Sequence, residues 1–352
     1  MADTFAPPVT AHRALGGNKA GRRAGQEAGE EQRVDPGEKL GQEGGSIYCR
    51  PMPEPTSPDA RGLDARAVDA AVRRLSRSPG PAWLHAEVAR RMAERLQIVR
   101  LQPARLIEWW SFLGAGGELL AKAYPEAERV LVEPSEAFAQ RSREATRAAW
   151  WSPRRWRKDE VAVVVDGEST GAPAQLLWAN MMLHAVQDPP ALMARWQQAL
   201  AADGFVMFSC LGPDTARELR ALYARLGWPD PTPAFVDMHD LGDMLVQAGF
   251  ADPVMDQETI ILNWATPQAM LEELRGLGAN ASPLRFQGLR TPRWRRRLEE
   301  ALAGTAGPDG RVSLRFEVAY GHAFKALPKA PPGQPTTVSL DEMRSLVRSR
   351  RK

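Results

Sequence analysis

Between residues 81 and 211 short apolar runs alternate with stretches of helical period, and this order constrains the chain more than any other feature. From Pro81 to Val99, the stretch WLHAEVARRMAERLQIV carries apolar residues every three or four positions and reads as an amphipathic helix. The first strand candidate runs from Leu106 to Leu113 and is followed by Gly114, Gly116 and Gly117 and a helical ELLAKAY. Arg129 to Glu133, VAVVVDGE (161–168), AQLLWANMML (174–183) and FVMFSCL (205–211) continue the series, with PSEAFAQRSREATRAA and PPALMARWQQAL as helices between them. Strands joined by helices need crossovers, so the sequence predicts an α/β class fold with a doubly wound, mostly parallel, Rossmann-like sheet. Past Gly212 the order changes: helical pieces surround TIILNW, a helical insertion follows, and RVSLRFEVAYGHAF alternates as a late antiparallel strand would.

The ends are of another kind. Residues 1–62 hold hardly a large apolar side chain among Gly, Pro, Glu, Gln, Arg and Ala, and disorder is expected there. Residues 63–326 form the expected domain, and 327–352 a Pro-rich linker with a short basic tail, in which Ser339 and Glu342 have capping-box spacing. These tails take up much of the 29 Gly and 29 Pro. The formal net charge is only +3, and with seven lysines the basic residues are nearly all arginine, so charge alone does not call for nucleic acid. Cys49 and Cys210 lie far apart without a CxxC, and no His sits at ligand spacing, which indicates neither a disulfide framework nor a metal site. The N-terminus lacks an apolar signal core and no apolar run reaches membrane-spanning length. A cytoplasmic protein without membrane contact is the expectation, with a monomer favoured.

In an open parallel sheet ligands sit beyond the carboxyl ends of the strands. Glu133 ends the second strand, where a carboxylate can accept from both ribose hydroxyls of a nucleoside cofactor. Glu108 lies in the first strand, Gly114 and Gly116 would let the backbone approach the cofactor, and Asp166, ending the third strand, would meet an adenine amino group. Acids at strand ends are also ordinary helix caps, so the spacing alone leaves that alternative open.

Four later segments carry a resemblance: FSCLGPDTARELR (208–220), FVDMHDLGDMLVQAGFADPVMD (235–256), LEELRGLGAN (271–280) and GRVSLRFEVAYGHAFK (310–325). The order of elements resembles a class I S-adenosylmethionine-dependent methyltransferase, and these segments resemble the malonyl-[acyl-carrier protein] O-methyltransferases of biotin biosynthesis, over about residues 64 to 325. The resemblance implies S-adenosylmethionine as cofactor, a methyltransferase-like domain over 63–326 and an acyl carrier protein as partner. Asn180, after the fourth strand, falls where the family places a polar residue near the cofactor. The implied substrate carboxylate needs a cation, for which Arg275 is the candidate; Arg293, within the run Arg290, Arg293, Arg295, Arg296 and Arg297, could face the acidic helix of the carrier.

The sequence departs from the family in the cofactor loop. Family members carry an acid and then Gly-x-Gly-x-Gly; the ungapped register sets Glu108 on the acid, Trp110 and Phe112 on the first two glycines, and Gly114 on the third. Large rings thus stand where the family leaves room for the methionine end of the cofactor. A second reading is therefore a non-catalytic paralogue that has lost the cofactor and serves as a partner-binding protein. A third is a nucleic-acid binder, since Trp150, Trp151, Trp156 and Trp294 are interleaved with arginines; the small net charge and the lack of a recognisable module argue against it. Asp188-Pro189-Pro190 lacks the following aromatic that base-flipping methyltransferases need and reads as a helix start.

Overall fold

The computed structural model describes residues 62–147 and 161–326. The expected disorder before residue 62, the linker and tail from 327, and Trp150, Trp151 and Trp156 lie outside the described residues. Strands β1 (Arg105–Trp109), β2 (Glu128–Glu133), β3 (Ala162–Val165), β4 (Ala174–Ala179), β5 (Leu200–Leu211), β6 (Phe250–Trp264) and β7 (Val312–Lys325) form one sheet in the order β3-β2-β1-β4-β5-β7-β6. Pairing is parallel from β3 to β5, and β7 runs antiparallel to both β5 and β6. This is the doubly wound sheet with a late antiparallel strand that the alternation predicts.

Helices α1 (Ala65–Leu75), α2 (Trp83–Arg95), α3 (Ser111–Gly114), α4 (Gly117–Ala123), α5 (Glu136–Thr146), α6 (Pro189–Ala199), α7 (Arg217–Arg225), α8 (Met238–Gln247), α9 (Pro267–Gly276) and α10 (Pro292–Ala303) surround the sheet, with α9 and α10 forming the insertion between β6 and β7. Because both faces are covered, β1 and β4 read as continuous apolar runs, and alternate residues feed two cores. Leu106, Leu176 and Phe205 join Val88 and Met92 of α2 on one face. On the other, Ile107, Leu177 and Val206 join Phe138 of α5 and Trp196 of α6. The helix starts are chemically marked. Asp64 accepts from the amides of Arg66 and Ala67 at α1, Thr266 and Thr291 cap α9 and α10, and Asp188 caps α6, with Pro189 and Pro190 in its first turn as the sequence suggests.

Two strand candidates are shorter than their apolar runs. β1 stops at Trp109, because Trp110 adopts the left-handed conformation (φ 53°, ψ 50°), donates its N–H to Val132 O at 2.6 Å and turns the chain into α3. β4 stops at Ala179, two residues before Met181, which also has φ 53°. Left-handed backbone costs a residue with a side chain on the order of 1–2 kcal/mol. At position 110 the chain thus keeps the backbone shape that favours glycine while carrying the largest side chain.

Candidate functional site

Beyond the carboxyl ends of β1, β4 and β5 lies a cavity of about 380 Å³, roofed by α1, α7 and the segment that follows α9. Its lining is mostly apolar, with Val72, Leu113, Met181 and Phe235 among the contributors. The polar exceptions are few, and they include His85, His184, Thr232, Arg74 and Arg275. Trp110, one of the two rings set on the family's glycines, is also part of this wall.

His85 enters from α2, on the apolar face that the helical period sets toward the sheet. Its Nδ1 lies 2.9 Å from Leu113 O. A carbonyl only accepts, so Nδ1 carries the proton and Nε2 is left as an acceptor. Burial holds this ring below the usual histidine range and keeps it neutral. The Nε2 atom is buried without a partner, and so are Trp110 Nε1 and Thr232 Oγ1. His184 has the opposite tautomer: its Nδ1 accepts from Leu211 N at 3.3 Å, which leaves Nε2 as a donor. Burial, with His85 adding to it, pushes His184 down to about 3.

At the outer edge Arg275 lines the cavity at the end of α9. Arg74 of α1 donates to the carbonyls of Arg275 (3.1 Å) and Gly278, fixing that end of the helix. Burial and then the charge of Arg275 lower the pKa of Arg74, and the two guanidiniums give an apolar cavity a cationic rim. Arg293 is elsewhere, on the exposed surface of α10. The structure therefore does not bring Arg275 and Arg293 to one point.

The expected cofactor residues follow the strand ends. Glu133 is fully buried at the end of β2; its Oε1 accepts from Ser142 Oγ (2.6 Å) and from the Phe112 amide (2.9 Å), while Oε2 has no partner. Burial pushes its carboxyl up to about 7, against the pull of these two donors. Asp166 lies beside it, its amide donating to Glu133 O at 2.7 Å, and its carboxylate is paired with Arg195 of α6 and touched by Trp109 Nε1 at 3.4 Å. Glu108 is buried in a pair with Arg129 of β2 (Nε to Oε1, 2.9 Å) and accepts from Ser111 Oγ at 3.0 Å. Asn180 is satisfied throughout: it donates to His85 O (2.8 Å) and Gly114 O (2.6 Å) and accepts from Ser209 Oγ (2.6 Å). Gly116 is needed for packing, since a Cβ there would lie 2.6 Å from Trp178 Nε1, and Gly114 rests against Asn180.

Phe112 and Trp110 thus take different places. The Phe112 ring packs on Phe138 at 5.7 Å between centroids, under the Arg141 guanidinium at 4.1 Å, whereas Trp110 faces the cavity wall. Sequence reasoning missed His85, Thr232, Arg74 and Arg129. For His85 a signal existed, an imidazole on the apolar face of α2 between Leu84 and Val88.

The raised carboxyl of Glu133 has a measurable consequence. Between its ordinary value of 4.5 and about 7 the folded state holds a proton that the unfolded chain has released. Its contribution to stability is therefore full below pH 4.5 and is lost as pH rises through 7, by roughly 3 kcal/mol at 1.36 kcal/mol per pH unit. Urea denaturation at pH 5 and pH 8 of the protein and of Glu133→Gln is expected to show a pH-dependent component that the substitution removes. Equal pH dependence in the two proteins contradicts it.

Among the described residues no group of His, Cys, Asp and Glu is arranged to hold a metal, and no helix is long and apolar enough to cross a membrane. Residues 83–252, from α2 into β6, match a family model described as "Methyltransferase domain". The malonyl-[acyl-carrier protein] O-methyltransferase of Gallionella capsiferriformans is 37% identical over 290 residues, covering 80% of this chain and 93% of that protein. The protein of the same name from Laribacter hongkongensis is 35% identical over 270 residues (76% of this chain, 89% of that protein), and that from Halorhodospira halophila 37% over 273 (76% and 90%). With three relatives at 35–37% identity, each covering 76–80% of this chain, the chain belongs to the malonyl-[acyl-carrier protein] O-methyltransferase family.

Proposed function

We propose that the chain is an S-adenosylmethionine-dependent O-methyltransferase whose acceptor is the free carboxylate of a malonyl thioester carried on acyl carrier protein, in biotin synthesis in the cytoplasm. The observation that carries this reading is the cationic rim of Arg275 and Arg74 on an otherwise apolar cavity at the strand ends. The relatives' names supply the substrate class, and the rim supplies a cation for the one free carboxylate of a malonyl thioester.

For the cofactor, Glu133 Oε2 lacks a donor at the end of β2, where a ribose hydroxyl would donate to it; the side chain is fully buried and outside the cavity lining, so holding the ribose there requires the Phe112 segment that covers it to shift. When bound, S-adenosylmethionine supplies an electrophilic methyl group on a sulfonium. Arg275 holds and orients the acceptor carboxylate, which is already ionised near neutral pH, so no side chain has to remove a proton. The apolar walls, Leu113, Met181 and Phe235 among them, exclude water from the path of transfer. Arg293, on the exposed face of α10, is suited to the acidic surface of the carrier rather than to the reacting group.

No observation favours the other readings. Trp294 packs with Trp228 (5.1 Å) and Tyr223 (6.4 Å), its Nε1 is buried, and the Arg290 guanidinium lies over its ring at 4.4 Å, an arrangement that argues against base stacking. Trp110 and Phe112 motivated a paralogue without cofactor; against it stands identity of 35–37% to relatives named as O-methyltransferases. The test is methyl transfer by the full chain: with S-adenosylmethionine and malonylated carrier protein, the carrier gains one methyl group, and carrier bearing no malonyl group gains none.

A further inference from the structure

We infer that Arg290 and Arg297 form a binding site for a phosphate ester just outside the cavity, where they hold the phosphopantetheine arm that presents the thioester. This rests on the function proposed above. Among the described residues none of Arg290, Arg293, Arg296 and Arg297 has a carboxylate partner, whereas Arg285 pairs with Asp64 and Arg295 with Glu299. Arg290 and Arg297 differ from the other two in being held by aromatic rings. The Arg290 guanidinium lies over Phe286 at 3.9 Å and over Trp294 at 4.4 Å, and that of Arg297 over Trp228 at 5.5 Å. Trp228 and Trp294 stand 5.1 Å apart, so both guanidiniums are gathered on one aromatic cluster. A ring covers the face of a guanidinium and leaves the N–H donors along its edge open. Such a cation is fixed in place without being neutralised, and its fork of donors suits the oxygens of a phosphate. A carboxylate partner would fix it equally well but cancel the charge.

The cluster adjoins the cavity. Tyr223 of α7 is part of the cavity wall, and its ring packs edge-on against Trp228 at 5.3 Å and Trp294 at 6.4 Å. Burial pushes the Tyr223 phenol up to about 12, and the nearby charge of Arg290 acts against that push. Along the chain, residues 277–281 of the cavity wall lead into Phe286 and Arg290, and Trp294 and Arg297, three apart, share one face of α10. From the cavity outward the cations therefore come in a fixed order. Arg275 lines the cavity itself, and Arg290 and Arg297 lie beyond it, one aromatic layer further out. The groups of a malonylated arm follow the same order: free carboxylate, thioester, pantetheine chain, phosphate.

Three substrates separate the contributions: malonyl-pantetheine, which lacks the phosphate; malonyl-phosphopantetheine, which has it without a protein; and malonylated carrier. Methyl transfer by the full chain is expected to show kcat/KM roughly 10- to 100-fold higher for malonyl-phosphopantetheine than for malonyl-pantetheine, the scale of a hydrogen bond to a charged group. Arg290→Gln and Arg297→Gln are each expected to remove most of that preference by raising KM, and to leave the malonyl-pantetheine value as it was, which also reports that the variant is folded. Arg290→Lys keeps the charge without the fork and should fall between. If Arg290→Gln does not fold, Arg297→Gln carries the same expectation. Malonyl-phosphopantetheine turned over no faster than malonyl-pantetheine overturns the assignment. So does a substitution that slows malonylated carrier alone, which sets the arginines against the surface of the carrier, or one that slows all three substrates alike, which makes their role structural. In those cases the methyltransferase reading stands as long as the unsubstituted protein methylates malonylated carrier. If it methylates none of the three, that reading falls and this one with it.

Discussion

Arg129→Met is expected to destabilise the protein by about 3–5 kcal/mol, the cost of leaving a buried charge without its partner. Glu108 is fully buried in β1, and its Oε1 receives both Nε and Nη2 of Arg129. Ser111 Oγ, at 3.0 Å from Oε2, is the other hydrogen bond to that carboxylate. Methionine keeps much of the arginine stem but supplies no donor, so the carboxylate must either take up a proton or draw in water. Glu108→Gln combined with Arg129→Met should recover part of the loss, because the amide buries no charge. Urea denaturation at neutral pH measures both. A loss under about 1 kcal/mol for Arg129→Met would mean that the pair behaves as a surface ion pair, against the burial described above.

The second large effect concerns activity. Arg275→Ala is expected to lower kcat/KM for the malonyl carrier by roughly 10²- to 10³-fold, the scale of removing one fixed charged donor from the reacting group. S-adenosylhomocysteine affinity should stay as it was, since Glu133 and Asp166 at the strand ends are untouched. Arg275→Lys keeps the charge but not the planar fork and should fall between the two. If Arg275→Ala leaves kcat/KM within a factor of about three, well under one charged hydrogen bond, the carboxylate is held elsewhere and the cationic rim has another purpose.

The alternation of apolar runs and helical stretches was enough to predict the order of the elements, because a buried parallel strand cannot hide its apolar run and a covering helix cannot hide its period. Boundaries were less legible. The run Leu106 to Leu113 looks like one strand, yet Trp110 leaves it, since a left-handed turn is written in backbone angles and a tryptophan gives no sign of one. Topology was enough to place Glu133 and Asp166 at strand ends, but not to foresee their partners. Asp166 meets Arg195, 29 positions away, and Asn180 is held by Ser209 and by the His85 carbonyl, 29 and 95 positions away. No local pattern encodes such pairings. His85 was concealed for the opposite reason: on the apolar face of α2 it is indistinguishable from a core histidine until Nε2 is seen to lack a partner. The substituted glycines at 110 and 112 read as obstruction in the sequence. In the fold one ring packs aside on Phe138 and the other walls the cavity.

The most direct measurement is intact-mass analysis of carrier protein after incubation with the full chain and S-adenosylmethionine. The account predicts that malonylated carrier gains a single methyl group, that the product is an ester which mild base hydrolyses, and that acetylated carrier, which has no free carboxylate, is unchanged. No mass gain on malonylated carrier, under conditions where calorimetry detects bound S-adenosylmethionine, would contradict the assignment of this cavity to carboxylate methylation.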